Sequence, residues 1–480
     1  MSYKPIFFTL GVLLTILSVT MLWPTLIDLS NHNPDWKVFA GSQIITAFIG
    51  IALTLTNRQE SYKLNMREAF LLTNLSWIVI AAFGALPFCF SELKLNYTDA
   101  FFESMSGITT TGSTVIVGLD DAPPGILFWR SILQWLGGVG ILIMALSVLP
   151  LLKVGGMQLF KAESLDVEKV MPSAAQIATN IGVIYIILTI LWAGFYALAG
   201  MSVFDAFAHS MTTIATGGFS TSDQSLRHFD SDIIDFIAMS GMIVGGLPFV
   251  LYLRALRGDP EAIFRDSQVR WFFTILTASI FITTLYLMTT MNMPLKEAIR
   301  YGSFNITSLI TGTGYATADY SLWGPFFISM AFFLMCIGGC AGSTTCGIKI
   351  FRFQVLYAVS VTQLKKLLSP NGVFQPYYNG KPIPSGIPTA VMSFFFLFAI
   401  SFTVLAMTLQ LIGLDFITAM SGAATAIANV GPALGPIIGP SGTFNSLPDS
   451  AKWVLCLGML LGRLELFTLL VMLSPQFWKR

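Results

Sequence analysis

The composition of the chain indicates a membrane protein. It has 480 residues, of which 54% are hydrophobic and 11% are charged, whereas soluble globular proteins average roughly 25% charged residues. This excludes a soluble enzyme and a disordered chain. The 26 Lys and Arg against 25 Asp and Glu give a net charge of +1, so no excess of basic charge points to a nucleic-acid partner. Five cysteines are an odd and sparse count, which argues against a disulfide framework.

Ten stretches are apolar enough to span a membrane, for which about 20 residues suffice. We therefore predict an all-α integral membrane protein of about ten transmembrane helices. In chain order, the predicted spans cover residues 5–24, 37–56, 68–90, 125–150, 179–200, 232–253, 271–290, 323–345, 388–411 and 452–474.

The positions of Lys and Arg orient these spans, because cytoplasmic loops are enriched in both residues. With the N-terminus inside, eighteen of the 26 Lys and Arg lie on the cytoplasmic side and seven on the outer side, and only Arg463 lies in the middle of a span. An even number of spans returns the chain to the side where it began. We therefore expect a multi-pass protein with both termini in the cytoplasm.

Four segments on the predicted outer side share the pattern Ile-x-x-x-Gly. They end on Gly112, Gly218, Gly314 and Gly431, which are 106, 96 and 117 residues apart. This spacing is close to the length of one span-loop-span unit. A short helical run opens before each glycine with an acidic residue, which is favourable in the first turn of a helix. These acidic residues are Asp99, Asp205, Glu297 and Asp415.

The short runs are too short to cross a membrane. A helix of about 10 to 13 residues rises only about 15 to 20 Å, against a hydrocarbon core of roughly 30 Å. We predict that each run enters and leaves by the same face. Irregular backbone at that depth must be buried in protein or line a water-filled cavity. Four such segments around one axis predict a pore whose helix C-termini and backbone carbonyls favour a cation.

The same segments carry a family resemblance over nearly the whole chain. The motifs are Thr-Thr-Thr-Gly-Ser at 109–113, Ala-Thr-Gly-Gly-Phe-Ser at 215–220, Thr-Gly-Thr-Gly-Tyr at 311–315 and Ala-Asn-Val-Gly-Pro at 428–432, with further matches at 338–345 and 462–465. They resemble the Trk/Ktr/HKT superfamily of potassium transporters, most closely its bacterial TrkH type. One such filter is weak, whereas four in register with ten spans are specific.

The resemblance implies a potassium uptake subunit of the bacterial inner membrane, channel-like rather than enzymatic. It implies a homodimer with one pore per subunit and a cytosolic ring of nucleotide-binding (RCK-type) regulatory subunits. No covalently bound cofactor is expected, and K⁺ is the transported ion. The implied units are two additional N-terminal helices (1–60), repeat 1 (61–152, pore loop 99–114), repeat 2 (153–256, pore loop 204–221), repeat 3 (257–350, pore loop 295–317, gating loop 338–349), a cytoplasmic loop (351–387) and repeat 4 (388–480, pore loop 415–434).

The resemblance also assigns an ion-binding filter to twelve residues. They are Thr110, Thr111 and Gly112; Thr216, Gly217 and Gly218; Gly312, Thr313 and Gly314; and Asn429, Val430 and Gly431. In this family a glycine at the first filter position goes with potassium preference and a serine with sodium permeability. That position is Gly112 here.

Arg463 is predicted near the middle of the tenth span. A charge there costs about 2.5 to 3.5 kcal/mol and usually faces a cavity or a partner. The alternative, a side chain that snorkels to the interface, fits poorly because apolar residues flank Arg463 about equally. The resemblance places this arginine below the filter, where its charge would raise the barrier to cations. Glu465, two positions on, is not expected to share its helix face.

The eighth predicted span is interrupted at residues 338–347, where ten residues include four glycines. Such a break must line a cavity, and the resemblance identifies it as an intramembrane gating loop. A small-residue face for helix packing is the alternative. The assigned gating residues, besides Arg463, are Gly338, Gly339, Gly342, Ser343, Thr344, Thr345 and Gly347.

The cytoplasmic segment 349–387 contains Asn379-Gly380, a signal for a hairpin turn. With residues 153–169 it is predicted to dock the regulator, although a merely solvated loop is equally compatible with the sequence.

Three further alternatives remain at this stage. Potassium–proton symport through Glu103 or Glu465 is one, and a less selective potassium and sodium pathway is another. An intramembrane enzyme is disfavoured, because His209, aligned with Met105 of the first unit, is interpreted as a packing residue.

Overall fold

The protein is described here from a computed structural model, which covers residues 3–59, 65–147 and 174–479. The predicted docking residues 153–169 lie outside these ranges. Seven helices of the described chain are long and apolar enough to cross a membrane. They cover Lys4–Ser30, Trp36–Thr56, Met66–Phe90, Pro124–Met144, Gln176–Leu198, Ser267–Thr290 and Gly386–Leu411.

The first two spans form a closely packed helical pair. The helix Lys4–Thr20, continued by Leu22–Ser30, packs along the helix Trp36–Thr56. Gly11 and Gly50 lie at the contact: a Cβ on Gly11 would be 2.7 Å from the carbonyl oxygen of Gly50. Small residues thus let the two backbones approach, as is common between membrane helices.

Each of the four following units places a pore helix between two outer helices. The first unit has Met66–Gly84 with Leu86–Phe90, the pore helix Tyr97–Ile108, and Pro124–Ser147; the second has Ala174–Leu198, the pore helix Val203–Ile214, Asp232–Gly246 and Phe249–Leu256. The third has the short turn Ala262–Arg265, Ser267–Thr290, the pore helix Leu295–Thr311, Pro325–Cys336 and then Ile350–Leu368. The fourth has Gly386–Leu411, the pore helix Phe416–Ala428, Asp449–Arg463, Phe467–Leu473 and Pro475–Trp478.

Three predicted spans are not continuous helices. The sixth bends by 92° between Gly246 and Phe249, because Pro248 cannot extend a helix and Leu247 is extended. The tenth bends by 115° after Arg463. The eighth ends at Cys336 after only 12 residues. The irregular backbone at these three breaks is mostly buried in protein, as is required at membrane depth.

Two local predictions have clear outcomes. The strands Tyr377–Tyr378 and Lys381–Pro382 pair as an antiparallel hairpin around Asn379-Gly380, which confirms the predicted turn. Both turn residues have positive φ, 47° and 73°, as a type I′ turn requires. The third pore helix has 17 residues and exceeds the expected length of about 10 to 13.

Candidate functional site

The pore helices begin with side-chain caps in three of the four units. The side chains of Asn96, Ser202 and Asp415 accept hydrogen bonds from backbone N–H groups of the first turn at 2.8, 3.0 and 3.1 Å. Asp99 and Asp205 lie in the first turn as predicted, whereas Asp415 is itself the cap. These acidic and capping groups complement the positive ends of the helices, so the negative ends point to the filter segments.

All four filter segments share one backbone conformation. In each unit the key glycine is left-handed, with φ of 86° at Gly112, 77° at Gly218, 84° at Gly314 and 110° at Gly431. The residue two positions earlier is also left-handed. Those residues are Thr110, Thr216, Gly312 and Asn429, with φ of 52°, 51°, 66° and 52°.

Three of these earlier residues are not glycine, and their left-handed conformation could not be predicted from sequence. Such backbone strain costs of the order of 1 to 3 kcal/mol per residue and persists only where the surroundings enforce it. The filter segments of the first, second and fourth units are therefore held in a strained conformation by their surroundings.

The four segments close into a ring. A Cβ on Gly112 would collide with the carbonyl oxygen of Gly217, one on Gly218 with that of Thr313, and one on Gly314 with that of Val430. A Cβ on Gly431 would lie 2.8 Å from the carbonyl oxygen of Thr111. Each key glycine thus faces a carbonyl of the next unit, and the fourth unit returns to the first. Twelve residues predicted from four separate motifs meet at one place.

Side chains hold the filter from behind. Asn429 Nδ2 donates to Thr111 Oγ1 at 2.9 Å, which joins the fourth unit to the first. Ser113 Oγ donates to the carbonyl of Gly431 at 2.7 Å across the same boundary. In the second unit Gln134 Nε2 donates to the carbonyl of Gly217 at 2.5 Å. Gln134 was not expected from sequence because it belongs to no repeated pattern, and Ser113 lies within the motif 109–113 but was not assigned a role.

A cavity of about 220 Å³ is bordered by the key glycines of the first three units and by residues that follow the first, second and fourth filter segments. Arg130 and Asp223 also line it. Gly112, Gly218 and Gly314 are half-buried, whereas the filter residues that precede them are buried. The cavity therefore gives water-sized access to one end of the ring.

The predicted gating loop lies against the opposite end of the filter segment. Thr344 Oγ1 is 3.1 Å from Thr216 Oγ1 and donates to the carbonyl of Ile214 at 3.0 Å. The N–H groups of Thr344 and Cys340 donate to the carbonyls of Gly245 and Gly246, both at 3.1 Å. The loop of the third unit is thus pinned to the bend in the sixth span, beside the second filter segment.

The loop is closed upon itself by its small residues. Gly338 N–H donates to the carbonyl of Ile348 at 3.0 Å, and Gly339 N–H donates to Thr345 Oγ1 at 3.1 Å. Ser343 Oγ and Thr345 Oγ1 are 2.7 Å apart. Gly342 and Gly347 are left-handed, with φ of 73° and 72°. All seven predicted loop residues therefore belong to one compact, internally hydrogen-bonded loop.

The tenth span was predicted as one continuous helix, which is wrong: Arg463 ends its first helix, before a turn in which Glu465 and Leu466 have φ of 58° and 60°. Arg463 is 1% exposed and contacts the loop. Its NH1 donates to the carbonyl of Thr344 at 3.3 Å and to Cys346 Sγ at 2.6 Å.

Its NH2 donates to the carbonyl of Gly137 in the first unit at 2.7 Å. Within the described ranges no carboxylate forms an ion pair with Arg463. A buried positive charge therefore lies between the loop and the first unit.

The prediction that Glu465 lies apart from Arg463 agrees with its contacts, because Glu465 forms a buried ion pair with Arg352. His209 packs as predicted and is fully buried. Its alignment with Met105 is wrong, since His209 and Glu103 each lie nine residues before the key glycine of their unit. Both side chains contact the residue two positions after that glycine, Ser220 and Thr114.

The glycine steps of the spans lie against the C-terminal ends of the pore helices. A Cβ on Gly137 would collide with the carbonyl of Ile108, and one on Gly462 with that of Ile427. A Cβ on Gly245 would be 2.9 Å from the carbonyl of Ile214. In these three units the span after each filter passes directly against the end of the pore helix. In the third unit Gly338 meets its own loop instead.

The family model for TrkH cation transport proteins matches residues 36–480. The chain belongs to the TrkH family. This confirms the recognised resemblance and the all-α membrane fold, and the family comprises transport proteins rather than enzymes.

Similar proteins extend over the whole length of the chain. The Trk system potassium uptake protein TrkI of Halomonas elongata is 44% identical over 480 residues, which cover 100% of this chain and 97% of that protein. The Trk system potassium uptake protein TrkH of Escherichia coli is 38% identical, with both chains covered completely. The crystal structure of the potassium transporter TrkH from Vibrio parahaemolyticus superposes with a TM-score of 0.93 at 37% identity, over 100% of both chains.

Proposed function

We propose that this protein takes up potassium ions across the bacterial inner membrane through the ring of filter segments. The observation that carries the proposal is the closed cycle in which each key glycine faces a carbonyl oxygen of the next unit. Family members named as potassium uptake proteins support the choice of ion. The ion is the cargo of the pathway and enters from the cavity beside Gly112, Gly218 and Gly314.

The filter works by exchange of water for backbone oxygens. Carbonyls around the ring replace the hydration shell of K⁺, and the C-terminal ends of the pore helices add a partial negative charge. Only glycine combines the left-handed backbone with the close approach of a neighbouring carbonyl. The twelve filter residues therefore act chiefly through their backbone, and Gly112 supports a preference for potassium over sodium.

The gate is the loop 338–349 together with Arg463. The loop backbone is bonded to Gly245 and Gly246, and Thr344 touches the filter residue Thr216. Arg463 bonds this loop to Gly137 and adds a fixed positive charge. The arrangement blocks the path below the filter both sterically and electrostatically. Withdrawal of the loop opens the ion path below the filter.

The regulator of this gate is a cytosolic nucleotide-binding subunit of RCK type, and the membrane subunit is a homodimer in lipid with both termini in the cytoplasm. The segment 349–387 supports a docking role, because it begins at the gating loop and ends in an exposed hairpin. Tyr377 and Val373 are 60% and 93% exposed. Deletion of residues 377–382 is expected to abolish regulator binding in a pull-down assay; unchanged binding would contradict this role.

Proton coupling has no support from the two carboxylates considered for it. Glu103 is paired with Arg130 at 2.8 Å, and Glu465 is paired with Arg352. Arg463 does not deprotonate at physiological pH. A reversal potential that moves with a proton gradient at fixed potassium would overturn the channel-like mode.

The experiment that tests the function is ion flux into liposomes that hold the purified protein. Potassium, rubidium and sodium are compared for the native chain and for Gly112→Ser. We expect selective potassium and rubidium flux in the native chain and increased sodium flux in the variant. If neither form conducts, addition of the regulatory subunit separates a closed pore from a wrong assignment. Equal flux of all three ions through the native chain would refute the proposal.

A further inference from the structure

A buried ion pair lies behind the filter of the first unit. Glu103, in the first pore helix, is 0% exposed, and Arg130, in the span after the filter, is 1% exposed. Arg130 Nε donates to Glu103 Oε1 at 2.8 Å. The same carboxylate accepts from Thr114 Oγ1 at 2.9 Å and from Val115 N–H at 2.9 Å. We call the non-helical segment that follows each key glycine a filter strand, and Glu103 ties its pore helix to the first of these.

The guanidinium of Arg130 continues the network into the second unit. Its NH1 donates to the carbonyl of Ser220 at 2.7 Å, and its centre lies 4.0 Å from the centroid of the Phe219 ring. Phe219 and Ser220 directly follow the key glycine Gly218. Ser220 is also held from the other side, because its Oγ is 3.0 Å from His209 Nε2.

The other filter strands are also tied back within their own units, and Tyr315 of the third strand bonds in addition to Thr212 of the second unit. In the third unit Asn305 Nδ2 donates to Thr317 Oγ1 at 3.0 Å. In the fourth unit Ser421 Oγ donates to the carbonyl of Leu434 at 3.2 Å. Glu103, His209 and Asn305 hold the same place in their repeats, but only the contact of Glu103 carries a cation that reaches a neighbouring strand.

We propose that Arg130 and Glu103 are positioning residues that fix the separation between the first and second filter strands and thereby determine ion selectivity. The inference rests on the proposed function. Selectivity between K⁺ and Na⁺ depends on how carbonyl groups are presented to the ion, so a displaced strand alters the ratio of the two fluxes. A planar guanidinium holds the Glu103 oxygen, the Ser220 oxygen and the Phe219 ring at once, which a lysine ammonium cannot reproduce.

The test compares three variants with a matched control. Arg130→Lys keeps the charge but loses the fork, and Glu103→Gln keeps an acceptor for Val115. Phe219→Leu removes only the ring beneath the guanidinium. The control is Asp99→Asn, which breaks the buried pair with Lys452 in the first turn of the same pore helix but touches no filter strand.

Flux of rubidium and sodium is measured in liposomes, and thermal stability of the purified protein is measured in potassium and in sodium. A ligand that binds the folded state raises its stability, so the second measurement reports ion preference even in a variant that does not conduct. We expect Arg130→Lys and Glu103→Gln to lower the rubidium-to-sodium ratio about tenfold, equivalent to about 1.4 kcal/mol. Phe219→Leu is expected to lower it less.

Asp99→Asn is expected to lose stability and keep the native ratio. Native ion preference in folded Arg130→Lys and Glu103→Gln would overturn the inference, as would an equal change in Asp99→Asn. A native protein without preference for potassium or rubidium would instead refute the proposed function. If Arg130→Lys does not fold, Glu103→Gln and Phe219→Leu decide the question.

Discussion

Removal of the side chain of Arg463 is the perturbation that best separates the two parts of the proposed gate. The guanidinium makes three hydrogen bonds, to the carbonyl of Thr344, the sulfur of Cys346 and the carbonyl of Gly137. Its Nε has no hydrogen-bond partner among the described residues. Arg463→Ala therefore releases the loop and also removes a fixed charge from the path.

The expected magnitudes differ for stability and for flux. Hydrogen bonds to a charged group contribute about 1.5 to 3 kcal/mol each, but the buried charge itself costs about 2.5 to 3.5 kcal/mol. The three bonds together outweigh the cost of the charge, so Arg463→Ala is expected to lower the unfolding free energy by about 1 to 6.5 kcal/mol. A unit charge about 8 Å from a permeating cation costs it about 2 kcal/mol at an effective dielectric constant of about 20. Its removal raises potassium flux about 30-fold.

The assay is rubidium uptake into liposomes, with Arg463→Gln and Arg463→Lys beside Arg463→Ala. If the charge forms the barrier, Gln and Ala increase the flux and Lys does not. If the bonds to the loop form the barrier, Lys increases the flux as well, because an ammonium cannot span Thr344 and Gly137 together. Folded protein in which none of the three variants conducts faster than the native chain would refute both explanations.

Two further predictions follow from the filter and from the region beneath it. Gly218→Ala is expected to abolish selective potassium flux, because the added methyl group collides with the carbonyl of Thr313 in the third unit. The control is Gly118→Ala: Gly118 has a similar φ of 80° but open space around it. This control should conduct normally in the same flux assay. Glu465→Gln removes the negative charge from the buried ion pair with Arg352 and should lower stability by about 3 to 5 kcal/mol, measured by thermal unfolding. The control is Glu261→Gln, which removes the charge from an exposed pair with Arg265 and should alter stability by less than about 0.5 kcal/mol. Equal effects of Glu465→Gln and Glu261→Gln would contradict the stabilising role of the buried pair.

Much of the filter region could be predicted from sequence because its four key positions require glycine. A left-handed residue packed against a neighbouring carbonyl must be glycine, so Gly112, Gly218, Gly314 and Gly431 stand out at a regular spacing. The carbonyls that they face could not be predicted, because the ring forms only when four distant units meet. The left-handed Thr110 and Thr216 carry no signal, since their strain is enforced by tertiary structure.

The bends of the spans were missed for two different reasons. Pro248 marks the break in the sixth span, but apolar residues on both sides made one continuous span the natural interpretation. The break after Arg463 has no such mark, because Leu466 adopts a positive φ without being glycine. The ion pairs of Glu103 and Glu465 join residues 27 and 113 positions apart, which no local pattern reveals.

Direct location of the bound ion tests the central claim, that four filter segments form one potassium pathway. A crystal structure of the protein in rubidium, with anomalous scattering measured at the rubidium edge, would locate the ions. We expect density on the axis at the level of Thr111, Gly217, Thr313 and Val430, and its loss when sodium replaces rubidium. Rubidium found only outside the ring formed by these four residues, with the axis empty, would contradict the account.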